Sequence, residues 1–224
     1  MRIHHSASSL TKFLNCPLQW KHYYIDKWEE PPNNWAIFGV VMHEAVAEKL
    51  THKDYEPDFI DLLKKRGILE EEQLNDLLQL CDSYYSSWLK AQTFEENPVA
   101  VEIDKKRNHP ELGRLVGKID AIYKTENGFK IVDHKFMTNA KKKKDNIQMA
   151  MYYLLVPEAT EFEYEKIDMN GVIIQRVHKL ESGLQAILTA VKGIKEEFYP
   201  PTAKEWFIPY CPYLDRCGKC KEWL

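Results

Sequence analysis

The sequence lacks the short motifs that mark many nucleotide-dependent enzymes and serine hydrolases. Its nine glycines form no G-x-G-x-x-G arrangement, and neither G-x-x-x-x-G-K-[ST] nor G-x-S-x-G occurs in the 224 residues. These absences argue against a dinucleotide-binding enzyme, a P-loop motor and an α/β-hydrolase. His43-Glu44 begins like a zinc-protease motif, but Ala47 stands where that motif requires a second histidine.

Long apolar runs, an excess of one charge and a disulfide framework are missing as well. No apolar run is long enough to span a bilayer, and the first residues lack the apolar stretch of a secretory signal. Lys and Arg number 31 and Asp and Glu 34, a net charge of −3, which excludes a uniformly basic binder but allows a locally basic groove. Five cysteines are an odd number, which favours reduced thiols or a metal site. We therefore expect a cytoplasmic protein with no membrane partner.

The residues that are present support a folded α/β domain. Hydrophobic residues make up 44% of the chain, enough to bury a core. Apolar residues recur at helical spacing near 7–24, 38–50, 70–90, 145–156 and 180–198, whereas 99–103, 115–123, 129–135 and part of 162–174 resemble strands. Asn127-Gly128 predicts a tight hairpin. We predict one domain over residues 1–224, mainly helical from 1 to 95, with a small central sheet within 96–175 and a cysteine-rich tail from 200 to 224.

Two acidic residues and a lysine lie on neighbouring predicted strands. Asp133 and Lys135 are two residues apart, so their side chains point to the same face at a separation of about 7 Å. Asp120 lies on the preceding strand, and pairing of the strands would bring its carboxylate beside that of Asp133. Such a group suits a divalent cation and hydrolysis of a phosphodiester. The alternative is an ordinary solvated strand face, because charged side chains commonly alternate along strands.

Six motifs occur in an order that resembles one nuclease family. The segments G-x-x-D at 117–120 and I-V-D-x-K at 131–135 resemble the metal site of the PD-(D/E)XK nuclease superfamily, in particular its RecB-like branch with the CRISPR-associated and phage iron–sulfur exonucleases. Four further segments match in order: the N-terminal cysteine motif at 8–17, G-x-x-x-H at 39–43, Q-x-x-x-Y at 148–152, and the closing cysteines. The resemblance implies a restriction-endonuclease-like core, a small mixed sheet flanked by helices.

The resemblance also implies roles for individual residues. A catalytic Mg²⁺ or Mn²⁺ would be bound by His43, Asp120, Asp133 and the backbone carbonyl of His134. Lys135 would be the catalytic lysine, which orients the attacking water or stabilises developing negative charge. Some relatives use an upstream acidic residue, but Glu102 is interpreted here as a surface strand glutamate.

Two further groups are predicted to bind DNA. Gln148 and Tyr152 are one helical turn apart, and the resemblance implies that they contact the substrate strand near the scissile phosphate. The alternative is a helix-capping glutamine and a half-buried tyrosine. Four consecutive lysines would hold the nucleic-acid backbone by charge, or would form an ordinary solvated loop: Lys141, Lys142, Lys143 and Lys144.

The cysteines predict a second metal centre. Cys211, Cys217 and Cys220 lie within ten residues, and Cys16 is a distant fourth. Four thiolates suit zinc or an iron–sulfur cluster, and their spacing alone leaves both open. The resemblance implies a 4Fe–4S cluster, although the short C-x2-C spacing here follows the longer gap, the reverse of the commoner order. Cys81 falls on an apolar helical stripe and is predicted to be a core residue.

The sequence therefore predicts a metal-dependent deoxyribonuclease, specifically an exonuclease acting on DNA ends or single strands in recombination, repair or phage-like DNA processing. Since no P-loop is present, helicase or recombination partner proteins would supply any motor, and a homo-oligomer is a further expectation. Two alternatives stay open: a structure-selective or nicking endonuclease on the same fold, and a non-catalytic DNA-binding protein that contains zinc.

Overall fold

The computed structural model describes residues 4–30, 33–92, 96–138, 146–202, 208, 211–217 and 219. Eight helices and six strands occur in the described part of the chain. In order they are β1 (His4–His5), α1 (Ala7–Asn15), α2 (Pro17–Tyr24), α3 (Asn34–Thr51), α4 (Phe59–Lys65), α5 (Glu71–Ala91), β2 (Ala100–His109), β3 (Gly113–Thr125), β4 (Gly128–Phe136), α6 (Asn146–Leu155), β5 (Ala159–Asp168), β6 (Gly171–Arg176), α7 (Glu181–Lys195) and α8 (Leu214–Cys217).

Local side chains fix where the first two helices begin. Ser6 accepts a hydrogen bond from the N–H of Ser9 at 3.2 Å, which caps α1. The Cys16 sulfur accepts a hydrogen bond from the N–H of Gln19 at 3.4 Å. Pro17 occupies the first turn of α2, where its missing N–H costs no hydrogen bond within the helix. Ser6 and Cys16 therefore fix the first residues of α1 and α2.

The six strands form one mixed sheet in the order β1-β3-β4-β5-β6, and β2 pairs with the other edge of β3. Pairs β2–β3, β3–β4 and β5–β6 are antiparallel, whereas β1–β3 and β4–β5 are parallel. The parallel pair β4–β5 is connected through α6, because parallel neighbours require a long crossover. The mixed sheet with flanking helices confirms the predicted fold class.

Helices cover both faces of the sheet. One apolar core contains Leu115 and Ile119 of β3 together with residues of α1, α2, α6 and α7. A second core contains Ala121 and Val132 together with residues of α3, α4 and α5. Cys81 is fully buried in this second core, as the sequence predicts. Within the described residues, every helix is too short or too polar to cross a bilayer.

The alternation of side chains changes phase in the middle of β2 and β3. Residues two apart on a regular strand share a face, yet Ile119 packs in the first core and Ala121 in the second. On β2, Val101 packs against the second core and Ile103 against the first. The residue between them, Glu102, has a φ of 49°, a left-handed conformation that breaks the regular pleat. The phase change places Glu102 directly opposite Asp120.

A gap in strand pairing lies beside this irregularity. On one edge, β3 pairs with β1 at residues 114–115 and with β4 at residues 121–125. The last residue pair between β3 and β4 is Ala121–Val132, so pairing stops just before Asp120 and Asp133 would meet. Side chains bind the backbone there instead: the Asp120 carboxylate accepts the N–H of His134 at 2.8 Å. Polar side chains, rather than a regular ladder, therefore occupy the centre of the sheet.

Three details of the fold differ from the sequence-based expectations. The strand β1 and the helix α4 were not predicted, because two residues and seven residues carry little periodic signal. The hairpin turn is one residue earlier than Asn127-Gly128, since Thr125 pairs with Gly128 and the loop residues are 126 and 127. Gly128 has a φ of 144°, and a Cβ there would stand 2.6 Å from the carbonyl oxygen of Glu158, so only glycine fits.

Candidate functional site

One histidine and two carboxylates from three elements form a candidate metal site. His43 of α3, Glu102 of β2 and Asp120 of β3 each offer a ligand atom, and these atoms lie within 4.8 Å of one another. The Nδ1 atom of His43 is 3.4 Å from Asp120 Oδ2 and 3.7 Å from Glu102 Oε1. Carboxylate oxygens with an imidazole nitrogen suit Mg²⁺ or Mn²⁺ at this position.

The position of Glu102 corrects the expectation of a surface strand residue. Its side chain is 22% exposed and forms ion pairs with His43 and Lys118. Burial acts to raise the pKa of Glu102, but the hydrogen bonds from His43 and Lys118 outweigh it and lower the pKa. Left-handed backbone at a non-glycine residue costs about 1–3 kcal/mol, and like charges opposite each other on paired strands are destabilising. A cation between Glu102 and Asp120 would offset the repulsion between their two carboxylates.

Asp120 is the most strongly perturbed acid of the site. Burial, and after it the nearby Asp133 carboxylate, raise the pKa of its carboxyl to about 6, against the opposing effects of His43, His134 and Lys135. The N–H of His134 holds Oδ2 from the side of β4. Asp120 is thus a buried carboxylate whose charged form has few compensating partners in the protein, as is common for ligands of a cation.

Asp133 lies beside this group but outside it. Its side chain is fully buried, and Oδ2 forms an ion pair with Lys135 Nζ at 2.6 Å. Oδ1 lies 2.6 Å from Gln148 Nε2 and 2.8 Å from the Tyr152 hydroxyl. The structure therefore brings Asp120 and His43 together and connects Asp133 to the lysine. The ligand role of Asp133 and that of the His134 carbonyl stay predictions.

The pair Gln148 and Tyr152 has a contact that the sequence did not predict. Both side chains face Asp133 from adjacent turns of α6, and the Tyr152 hydroxyl also lies 3.0 Å from the carbonyl oxygen of Lys118. Burial, then the carboxylates of Asp133 and Asp120, raise the pKa of Tyr152 well above its usual value, so the hydroxyl stays protonated. Gly117 lets α6 come this close, because a Cβ there would stand 2.7 Å from Leu155 Cδ1. The pair positions Asp133; its predicted contact with substrate remains a prediction.

Behind the site, the His134 ring is buried and bonded to a second carboxylate. Its Nε2 lies 3.3 Å from Glu165 Oε2, and its Nδ1 lies 3.8 Å from Asp120 Oδ2. Burial acts to lower the pKa of His134, but Glu165 outweighs it and raises the pKa. Burial acts to raise the pKa of Glu165, which the hydrogen bond with His134 lowers in turn.

Two clefts meet at the site and form one groove. A cleft of about 810 Å³ runs beside α3 past His43, Glu102 and Asp120. A second cleft of about 630 Å³ runs between α1 and α6 past Thr11 and Tyr152. The residues that line both clefts are Ser8, Lys118, Lys135 and Gln148. The groove thus passes directly over the lysine that is bonded to Asp133.

The described cysteines of the predicted second centre face one small cavity. Cys16, Cys211 and Cys217 line it together with residues of the tail. The tail is bonded to the N-terminal helices, since the N–H of Leu18 donates to the Pro200 carbonyl at 3.2 Å. The fourth cysteine, Cys220, and the lysines Lys141, Lys142, Lys143 and Lys144 lie outside the described residues.

Comparison with known proteins identifies the family. A model of the PD-(D/E)XK nuclease superfamily matches residues 4–218. The chain belongs to the PD-(D/E)XK nuclease superfamily. The predicted family is thereby confirmed. A search of curated protein sequences gave no match.

Solved structures share the fold of this superfamily member. A protein from Eubacterium rectale described as a "putative exonuclease" superposes with a TM-score of 0.60 at 15% identity, over 90% of this chain and 85% of that chain. The protein SSO0001 superposes with a TM-score of 0.50 at 14% identity, over 99% of this chain and 87% of that chain. At these identities the likeness concerns the fold alone.

The raised pKa of Asp120 predicts how the metal-free protein responds to pH. Between about pH 4 and pH 6 the folded protein binds a proton at Asp120 that the unfolded chain has lost, so the free energy of unfolding falls as the pH rises. We expect Asp120→Asn to stabilise the protein in EDTA by roughly 1–3 kcal/mol at pH 7.5, and by little at pH 4. Thermal and urea unfolding at both pH values measure the difference. Asp82→Asn, at an exposed position of α5, is the control; a destabilised Asp120→Asn at pH 7.5 would contradict the argument.

The bonds of Tyr152 predict a second effect. Tyr152→Phe keeps the ring but removes the hydroxyl that lies between Asp133 and the Lys118 carbonyl. We expect the free energy of unfolding to fall by about 1–3 kcal/mol, since a buried carboxylate loses a donor. Urea denaturation measures the change. Tyr153→Phe, which removes an exposed hydroxyl one residue away, should leave the free energy of unfolding unchanged. If Tyr152→Phe lowers that free energy no more than Tyr153→Phe does, the buried Tyr152 hydroxyl contributes nothing to stability.

Proposed function

We propose that this nuclease-superfamily protein is a metal-dependent deoxyribonuclease that acts as an exonuclease on DNA ends or single strands. The observation that carries the proposal is the arrangement of His43, Glu102 and Asp120 around one point, beside the Asp133–Lys135 ion pair, within a groove. Carboxylates that would hold a cation and an ammonium directed at the same groove are what hydrolysis of a phosphodiester requires.

The residues of the site fit a divalent cation. The carboxylates of Glu102 and Asp120 stand opposite each other with the His43 imidazole beside both, and the charge of the buried Asp120 lacks full compensation from the protein. Mg²⁺ or Mn²⁺ bound there would supply an activated water and would offset charge on the phosphoryl oxygens. His43, Glu102 and Asp120 would hold the ion, and Asp133 would complete the set on the side of Lys135.

Lys135 would act on the phosphate itself. Its ammonium is bonded to Asp133 Oδ2 at 2.6 Å and lines both clefts of the groove. A fixed positive charge at this point would stabilise the negative charge that develops on the phosphate in the transition state. Gln148 and Tyr152 hold the other oxygen of Asp133 and so keep the ion pair in place.

The charge of the groove favours an exonuclease over an endonuclease. Within the described part of the chain, the cleft beside α3 is lined by four carboxylates, Glu44, Glu48, Glu102 and Asp120, against one cation of its own, Arg66, which is paired with Glu44, and the two lysines that it shares with the other cleft. The cleft between α1 and α6 has no carboxylate among its described lining residues, which include Lys12, Lys118 and Lys135. A strand that ends at the cation needs only the second cleft, whereas an uninterrupted strand would place phosphates along the acidic one. The Eubacterium rectale protein described as a "putative exonuclease" is consistent with this choice.

The experiment compares linear with closed circular DNA. With Mg²⁺ or Mn²⁺, we expect end-labelled linear DNA to be degraded from its ends while covalently closed single-stranded and double-stranded circles persist. Asp133→Asn and Lys135→Ala should each lower the rate at least about a hundredfold, because each removes a charge that acts on the transition state. Lys124→Ala, an exposed lysine on β3, should cut at the rate of the natural protein.

Other outcomes would favour the remaining candidates. Nicking or linearisation of closed circles would replace the exonuclease with a structure-selective or nicking endonuclease. DNA binding without cleavage, unaffected by Asp133→Asn and Lys135→Ala, would replace it with a non-catalytic DNA-binding protein. The proposal also includes a cytoplasmic location and participation in recombination, repair or phage-like processing with a separate helicase partner. These expectations depend on DNA being the substrate.

We also propose that the cysteines hold a 4Fe–4S cluster. Cys16, Cys211 and Cys217 line a common cavity, and the Cys16 sulfur accepts an N–H from Gln19, a contact typical of cluster sulfurs. Cys220 would be the fourth ligand, and zinc held by the same thiolates is the alternative.

Absorption spectroscopy tests the cysteine centre. Protein purified without oxygen should be brown and contain iron, with the broad absorption at roughly 400 nm that cysteine-bound clusters give. Cys16→Ala and Cys217→Ala should lose the colour and lower the thermal midpoint, whereas Cys81→Ala should keep the colour because Cys81 lies in the core. A colourless protein that contains zinc would refute the cluster.

A further inference from the structure

A carboxylate on β5 lies directly behind the candidate metal site. Glu165 pairs in parallel register with His134 of β4, so the two side chains stand side by side on neighbouring strands. Its Oε2 accepts from Trp88 Nε1 at 3.2 Å and from Gln92 Nε2 at 3.3 Å. One donor from α5 and one from the residue that follows it therefore fix this carboxylate, which is 15% exposed, in one position.

The fixed carboxylate in turn orients the His134 ring. His134 is 2% exposed, and its Nε2 lies 3.3 Å from Glu165 Oε2. Because a carboxylate only accepts, this contact assigns the proton to Nε2. The ring's other nitrogen, Nδ1, then faces Asp120 Oδ2 at 3.8 Å, too far for a hydrogen bond. The same oxygen is held instead by the peptide N–H of His134 at 2.8 Å.

We propose that Glu165 is a positioning residue for the metal ligand Asp120, acting through His134. By accepting from Nε2, Glu165 fixes the orientation of the His134 ring and, with it, the residue whose backbone N–H binds Asp120. The inference rests on the proposed function, since it assigns Asp120 to a bound cation. Residues bonded directly to a metal ligand typically change metal affinity about 10–100-fold when they are replaced, and Glu165 stands one contact further out, so we expect the lower end of that range.

Direct Mn²⁺ binding tests this role without relying on catalysis. Free Mn²⁺, measured by electron paramagnetic resonance during titration, gives the dissociation constant for each variant. We expect Glu165→Gln to raise that constant about tenfold, because a neutral amide replaces the carboxylate that fixes the His134 ring and, through it, the N–H that holds Asp120. The value of kcat on single-stranded DNA should fall at subsaturating Mn²⁺ and recover when Mn²⁺ is raised, while KM for DNA stays unchanged.

A neighbouring carboxylate provides the matched control. Glu163 lies two residues away on β5 and is somewhat more buried, with a side chain 9% exposed against 15% for Glu165, but it is bonded to Arg176 at 2.9 Å and has no contact with His134 among the described interactions. Glu163→Gln should leave Mn²⁺ affinity unchanged even if it lowers the thermal midpoint. If Glu165→Gln does not fold, Gln92→Ala, at the end of α5, removes one donor to Glu165 and should raise the Mn²⁺ constant by a smaller factor.

The outcomes separate this inference from the proposed function. Equal Mn²⁺ affinity of the natural protein and the folded Glu165 or Gln92 variant would overturn the positioning role alone. Equal losses in the Glu163 and Glu165 variants would also overturn it, since the effect would then reflect the strand and not the contact with His134. A natural protein that binds no Mn²⁺ would overturn the proposed function, and this inference with it.

Discussion

The structure depends on one interruption in its sheet, where Glu102 and Asp120 face each other and β3 separates from β4. A regular ladder would send successive side chains alternately into two apolar cores, and a carboxylate in either core would be costly. The left-handed backbone at Glu102 changes the phase of β2 and β3 at this point. The loss of pairing after Ala121–Val132 then provides space at the sheet centre. Polar atoms occupy that space, and the cores on either side remain apolar.

The interruption also requires replacement bonds, and the replacements organise the site. The N–H of His134, which lies beyond the last pair of β3 with β4, binds Asp120, and the carbonyl of Lys118 lies within bonding distance of the Tyr152 hydroxyl. Each replacement fixes a side chain that the chemistry needs. Buried N–H and C=O groups rarely stay unpaired. The contacts that satisfy these backbone groups are therefore the same contacts that hold the side chains of the site in place. A site of this kind is rigid before any ligand arrives.

The sequence predicted much of this arrangement but not its details. Spacing alone placed Asp133 and Lys135 on one face and Asp120 on the neighbouring strand, because side-chain alternation and hairpin pairing are local rules. Glu102 was misjudged, since its approach to His43 depends on a positive φ at a non-glycine residue, which no periodic pattern indicates. The contact of Tyr152 with Asp133 required the close approach of α6 to β3, for which Gly117 is the only sequence signal. Glu165 resembled an ordinary strand residue, because its register with His134 follows from a parallel pairing across a long connection.

The charges of the groove and of the sheet centre serve different purposes. At the centre, carboxylates are buried and held by donors from β4, α5 and α6, so they suit a small hard cation that replaces lost hydration. Along the groove beside α3, carboxylates are partly exposed, and they oppose an approaching phosphate backbone unless a cation stands before them. Lys135 lies where the two regions meet, and both clefts reach it. On the proposed function, a strand that ends at a bound cation would lie along the cleft between α1 and α6 and would stop short of the carboxylates beside α3.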